Sequence, residues 1–106
     1  MEIKIQSLHF KANVLLQEYV LKKVNRLSHF NERIISGDIC LKLDKSSKRD
    51  NKVCEIRLSI PGNDLFAKRQ CDTFEKATNE TVEALQKQLR RNKTEFENRR
   101  HSKIKK

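Results

Sequence analysis

A chain of 106 residues, 36% of them charged and 36% hydrophobic, has material for one modest core and not for two. It carries a formal net charge of +10, and nine of its 24 lysines and arginines fall in the last 23 residues, against only Glu95 and Glu97. With apolar runs of three residues and only two glycines, there is no membrane span, signal-peptide core or phosphate-cradling loop; the charge points to a polyanionic partner, nucleic acid first, in a cytoplasmic protein.

The first residues alternate, with Ile3 and Ile5 on one face and Glu2, Lys4 and Gln6 on the other, which predicts a strand over Glu2 to Ser7. Asn13 is then an N-cap for a helix over residues 13 to 29, because Leu16, Val20, Val24 and Leu27 recur at helical spacing with Tyr19 and Phe30 beside them. Gly37 breaks that pattern, and Ile39, Leu41 and Leu43 alternate with Cys40, Lys42 and Asp44 as a second strand. The polar run Lys45 to Asn51 is a loop. Cys54, Ile56, Leu58 and Ile60 make one face of a third strand, and Pro61-Gly62-Asn63-Asp64 turns it into a fourth through Leu65, Ala67 and Arg69. Asp72 followed by Glu75 reads as a capping box that opens a second helix, with Phe74, Thr78, Thr81, Leu85, Leu89 and Phe96 on one face and an end near residue 98.

The order is β-α-β-β-β-α. It predicts an α+β fold: a four-stranded mixed sheet with two helices packed on one face, like a double-stranded-RNA-binding domain. Residues 1–98 form the single domain, and 99–106 form a basic tail expected to be disordered.

The functional candidates are the outward cations of both helices. Lys22 and Arg26 lie away from the first apolar stripe with Lys23 at its edge, and Lys87, Arg90 and Arg91 lie opposite Leu85 and Leu89, with Lys93 following. Cations near a helix C-terminus also interact favourably with the helix dipole, by a few tenths to about 1 kcal/mol each, which accounts for one or two of them and not for nine. A solvated face and an anionic membrane surface are the competing readings; the second helix needs its apolar stripe for the core, which argues against the membrane. The aromatics fall mostly on inward helix faces, so backbone and shape recognition of folded RNA is expected over base stacking. His9, His29 and His101 share no metal-ligand spacing, and Cys40, Cys54 and Cys71 show no CxxC spacing and are expected as reduced structural thiols. No catalytic residue, metal, cofactor or small-molecule substrate is expected.

Three stretches carry a family resemblance: Glu18-Tyr19-Val20-Leu21-Lys22-Lys23-Val24-Asn25-Arg26-Leu27 with Phe30, Arg33 and Ile34; the strand Ile39-Cys40-Leu41-Lys42; and Leu85-Gln86-Lys87-Gln88-Leu89-Arg90-Arg91-Asn92-Lys93. In order and with this topology, residues 1 to about 95 resemble the short-form ribosome hibernation promoting factors, also called ribosome-associated inhibitors. The resemblance implies a non-enzymatic factor, monomeric when free, that binds the small (30S) ribosomal subunit and its 16S rRNA at the decoding region. There it would cover the A and P sites, block tRNA and mRNA, and preserve idle ribosomes in stationary phase or stress. Lys23 and Arg26 match family basic positions on the first helix, and Lys87, Arg91 and Lys93 match those on the second. Ala84 stands where many members have lysine. The sequence ends at Lys106 without the extra domain of long-form members, so pairing of whole ribosomes would need a second factor. The alternative is a general RNA- or DNA-binding chaperone without ribosome preference.

Overall fold

The computed structural model describes residues 1–46 and 48–104, with side chains for 1–46 and 48–91. Among them the chain runs β1 (Glu2–Leu8), α1 (Val14–Asn25), a 3₁₀ turn (Arg26–His29), β2 (Ser36–Leu43), β3 (Lys52–Ile60), β4 (Asn63–Cys71) and α2 (Phe74–Ile104). The side-chain expectations for Lys93 and Phe96 lie outside the described set. α2 extends through Ile104, past the expected end near residue 98.

The sheet has the order β1-β2-β3-β4, with β1 and β2 parallel and both later pairs antiparallel. A parallel pair cannot be joined by a tight turn, so α1 makes the crossover. Its register aligns Ile5, Ile39, Ile56 and Ala67 in one row across all four strands. That row forms the floor under the helices, and Leu41, Leu58, Val20, Val24, Leu27, Leu85 and Leu89 complete the core above and beside it. The mixed sheet with two helices in β-α-β-β-β-α order is the architecture the sequence predicts.

Local chemistry explains each junction. The Leu16 backbone N–H donates to Asn13 Oδ1 at 2.8 Å, capping α1 as expected. Instead of continuing to residue 29, α1 tightens at Arg26: Phe30 N–H donates to Leu27 O, and Ser28 Oγ donates to Asn25 O at 2.7 Å. Both bonds reach three residues back, the 3₁₀ spacing, and Leu27 still stays in the buried stripe. Gly37 makes room for the Leu58 side chain of the neighbouring strand β3. A Cβ there would stand 3.3 Å from Leu58 Cδ2 and 4.0 Å from Val24 Cγ1. In the Pro61–Gly62 connection, Gly62 has φ +81°, the left-handed conformation that the third residue of a type II turn requires.

The start of α2 corrects the sequence reading. Thr73 is the cap, its Oγ1 accepting from Lys76 N–H at 3.1 Å, so Glu75 is not at the position a capping box needs. Asp72 lies one residue outside, where Lys76 Nζ holds its carboxylate at 3.1 Å. That contact keeps the Asp72 carboxyl below its usual range.

Two buried hydroxyls on α2 face the sheet. Thr81 Oγ1 lies 2.7 Å from Ala77 O and 3.3 Å from Cys54 O, whereas Thr78 Oγ1 has no regular partner and meets only the weakly bonding Cys54 thiol. Removing a satisfied hydroxyl and removing an orphaned one should therefore differ in sign. Thr81→Val is expected to cost about 1 kcal/mol in urea unfolding, and Thr78→Val to be neutral or stabilising by up to about 1 kcal/mol. Equal losses in the two variants would contradict the hydrogen-bond assignment.

Candidate nucleic-acid interface

Topology first decides which way the helices point. β1, β2 and β4 run in the same direction, so α1, returning from β1 to β2, runs against them, as does α2 folding back from β4. The two helices are therefore side by side and run in the same sense. Tyr19 Oη donates to Asn79 Oδ1 at 3.1 Å and joins them across a seam. Lys23 Nζ stands 5.5 Å from the centre of the Tyr19 ring, a cation–π contact on that seam. Arg26 follows Tyr19 by two helical turns, and Arg90 follows Asn79 by three, so both project toward the same seam.

Lys22, Arg26, Lys87, Arg90 and Arg91 are exposed and Lys23 is half-buried, as a surface for a polyanion requires. Among the described residues the ion pairs are Lys42–Glu55 at 3.2 Å and Lys76–Asp72, so Lys22, Arg26, Lys87 and Arg91 take part in neither.

The roll of α2 divides its cations. Gln88 Nε2 donates to Phe66 O at 2.9 Å, which ties that side of α2 to β4. Lys87 and Arg91 consequently border a depression of about 400 Å³ that also takes in Arg69 from β4. Arg90 lies on the other flank of α2, toward α1 and the Tyr19–Asn79 seam. The predicted residues thus share one layer of the molecule but line two adjoining surfaces. Glu80 and Glu83 border the same depression, and Glu80 Oε2 accepts from the Cys71 thiol at 2.8 Å. The surface over β4 is accordingly mixed in charge, with three cations to two acids.

Arg69 was absent from the sequence-derived site. The alternation Leu65-Ala67-Arg69 had placed it on the helix side of β4, and a cation following two core residues on an edge strand is the signal that could have found it.

Among the described residues no three His, Cys, Asp or Glu side chains converge as metal ligands, and no helix is long and apolar enough to cross a membrane. Burial pushes the Cys54 and Cys71 thiols up to about 11, in Cys71 with help from the Glu80 carboxylate. Burial and then Glu55 also raise the half-buried Cys40. A thiol at about 11 has on the order of one thiolate in a thousand at pH 8. Iodoacetamide should therefore modify the native protein slowly and at Cys40 first, and all three cysteines in denaturant, as read by intact mass. Rapid stoichiometric labelling of Cys71 would contradict its burial.

The family model described as "Sigma 54 modulation protein / S30EA ribosomal protein" matches residues 3–97. A ribosome hibernation promoting factor of Pseudomonas putida is 25% identical over 93 residues, covering 88% of this chain and 87% of that protein. A ribosome hibernation promotion factor of Deinococcus radiodurans is 28% identical over 83 residues, covering 76% of this chain and 43% of that longer protein. The fold is shared with a ribosomal subunit interface protein from Coxiella burnetii, with a TM-score of 0.80 at 21% identity over 89% of this chain and 99% of that one. It is shared also with the Protein Y N-terminal domain of Thermus thermophilus, with a TM-score of 0.75 at 22% identity over 86% and 98% of the two chains.

Proposed function

The chain belongs to the sigma 54 modulation protein / S30EA ribosomal protein family, and on that premise we propose that it is a cytoplasmic ribosome hibernation factor that binds the small (30S) subunit. It acts by occupancy and not by turnover: the domain lies against 16S rRNA at the decoding region, excludes tRNA and mRNA from the A and P sites, and holds idle ribosomes intact. The observation that carries this reading is the exposure of Lys22, Arg26, Lys87, Arg90 and Arg91 on one helical layer whose apolar side is consumed by the sheet. Two rods with inward leucines and outward cations suit the phosphate backbone of structured RNA, where released counterions supply the affinity. Lys23 and Lys93 complete the set.

Sedimentation with purified small subunits at rising salt tests this. Six or more phosphate contacts would lower affinity by about 10³-fold or more between 50 and 200 mM salt. The protein is expected to pellet with subunits at low salt and to be released steeply as salt rises. No co-sedimentation at low salt overturns the reading. Equal affinity for subunits and for random RNA duplex at matched salt replaces it with a general nucleic-acid chaperone.

A further inference from the structure

The sheet face opposite the helices carries a second cationic surface. Leu8, Lys42, Val53 and Gln70 form one row across the four strands, and Gln6, Cys40, Glu55 and Lys68 form the next one of that face. Between them lies a shallow depression of about 330 Å³ bordered by His9, Lys42, Lys45 and Lys68, with Val53 and Gln70 at its base. Val53 is 1% exposed although it points away from the helix-side core, so the depression has a packed floor.

Asp44 also lines this depression, and neighbouring donors take up its carboxylate. Asp44 Oδ1 accepts from Ser46 N–H at 2.9 Å and from Ser46 Oγ at 2.6 Å, and its Oδ2 accepts from Gln70 Nε2 at 3.3 Å. These donors close the loop between β2 and β3 and hold the Asp44 carboxyl below its usual range. Lys42 is shared with Glu55. Lys45 and Lys68 are exposed and, among the described residues, belong to no ion pair. His9, at the rim, adopts φ +68°, a left-handed conformation that costs a residue with a Cβ roughly 1–2 kcal/mol.

The location matters as much as the charge. The depression is at the C-terminal end of β2, on the open face. The helices run against β2, so their basic C-terminal halves cover the opposite end, on the other side of the sheet. Strand length and sheet thickness separate the depression from Arg26 and Arg90 by roughly 20–30 Å, whereas Arg69, which borders the Lys87–Arg91 depression, follows Lys68 on edge strand β4 and projects to the other face. An RNA segment lying against Arg26 and Arg90 does not extend to Lys45, at the far end of the open face. The lysines stand on β2, on the loop after it and on β4, spread over about 10 Å. This suits successive phosphates of a chain better than one enclosed phosphate.

We propose that the depression around His9, Lys42, Lys45 and Lys68 is a second RNA-backbone site, through which the domain bridges a second segment of the RNA that its helices contact. The proposal rests on the ribosome reading above and extends it: the protein acts as a clip between two RNA segments as well as a plug.

The test is small-subunit sedimentation with Lys45→Glu/Lys68→Glu, beside a charge-matched control, Lys4→Glu/Lys76→Glu, that leaves the depression intact. The site variant is expected to bind at least tenfold more weakly, to lose about two units of salt slope and to melt with the wild type. The control is expected to stay within about threefold of wild type. Site and control variants that weaken equally, or a site variant retained like the wild type, overturn the second site and leave the helical reading standing. A wild type that fails to pellet at low salt overturns both.

Discussion

Lys87→Glu combined with Arg91→Glu is expected to release the protein from small subunits, weakening binding on the order of a hundredfold or more while the fold survives. Both side chains are exposed on the side of α2 that faces away from Leu85 and Leu89. Each loses a phosphate contact on the order of 1 kcal/mol, and each new carboxylate adds repulsion of similar size. The salt dependence should flatten by about two units. Stability falls only slightly. Glu83, Lys87 and Arg91 follow one another at i, i+4 spacing, so the double variant turns the favourable Glu83–Lys87 neighbours into a like-charge pair, at a few tenths of a kcal/mol, while positions 87 and 91 stay like-charged as before. Lys87→Gln/Arg91→Gln removes that complication and should give an intermediate loss of binding. Binding read by sedimentation and folding read by circular dichroism separate the effects. A variant that unfolds would place these cations inside the packing; one that binds normally would move the interface elsewhere.

The inward half of this arrangement was legible in the sequence because one residue type answers to one constraint there. Leu16, Val20, Val24 and Leu27 share a face at helical period, and Cys54, Ile56, Leu58 and Ile60 share one at period two; each stripe is buried on the side its period predicts. What escaped depends on contacts between elements. Asp72 and Thr73 are both good caps, and Lys76 decides between them by taking the Asp72 carboxylate and leaving Thr73 Oγ1 for its own amide. The 3₁₀ turn depends on the Ser28 hydroxyl reaching Asn25 O, which no apolar pattern reports. The roll of α2 is set by Tyr19 on one flank and Phe66 O on the other, so no helical wheel could show that Arg90 would part from Lys87 and Arg91, or that Arg69 would join the latter pair.

The same roll makes Leu85→Ala damaging to function as well as to the fold. Leu85 is fully buried and belongs to the cluster that joins α2 to β3, β4 and α1. Truncating a buried leucine costs about 2–5 kcal/mol, from lost transfer energy and from the cavity left behind. For a domain with about 5–15 kcal/mol in all, that is a substantial fraction. The melting temperature should fall by roughly 8–40 °C, at 4–8 °C per kcal/mol for a domain near this size. In urea the midpoint should drop with little change in slope. Lys87 lies two residues beyond Leu85 and Arg91 six, so loosening this turn also frees the cations from the plane they share with α1. Binding should then fail together with the fold and return on cooling or at low urea. In the glutamate double variant it should stay lost in a fully folded protein. A Leu85→Ala variant that lost less than about 1 kcal/mol would mean that α2 is not anchored at this turn, and that something else holds the cations of the helical layer outward.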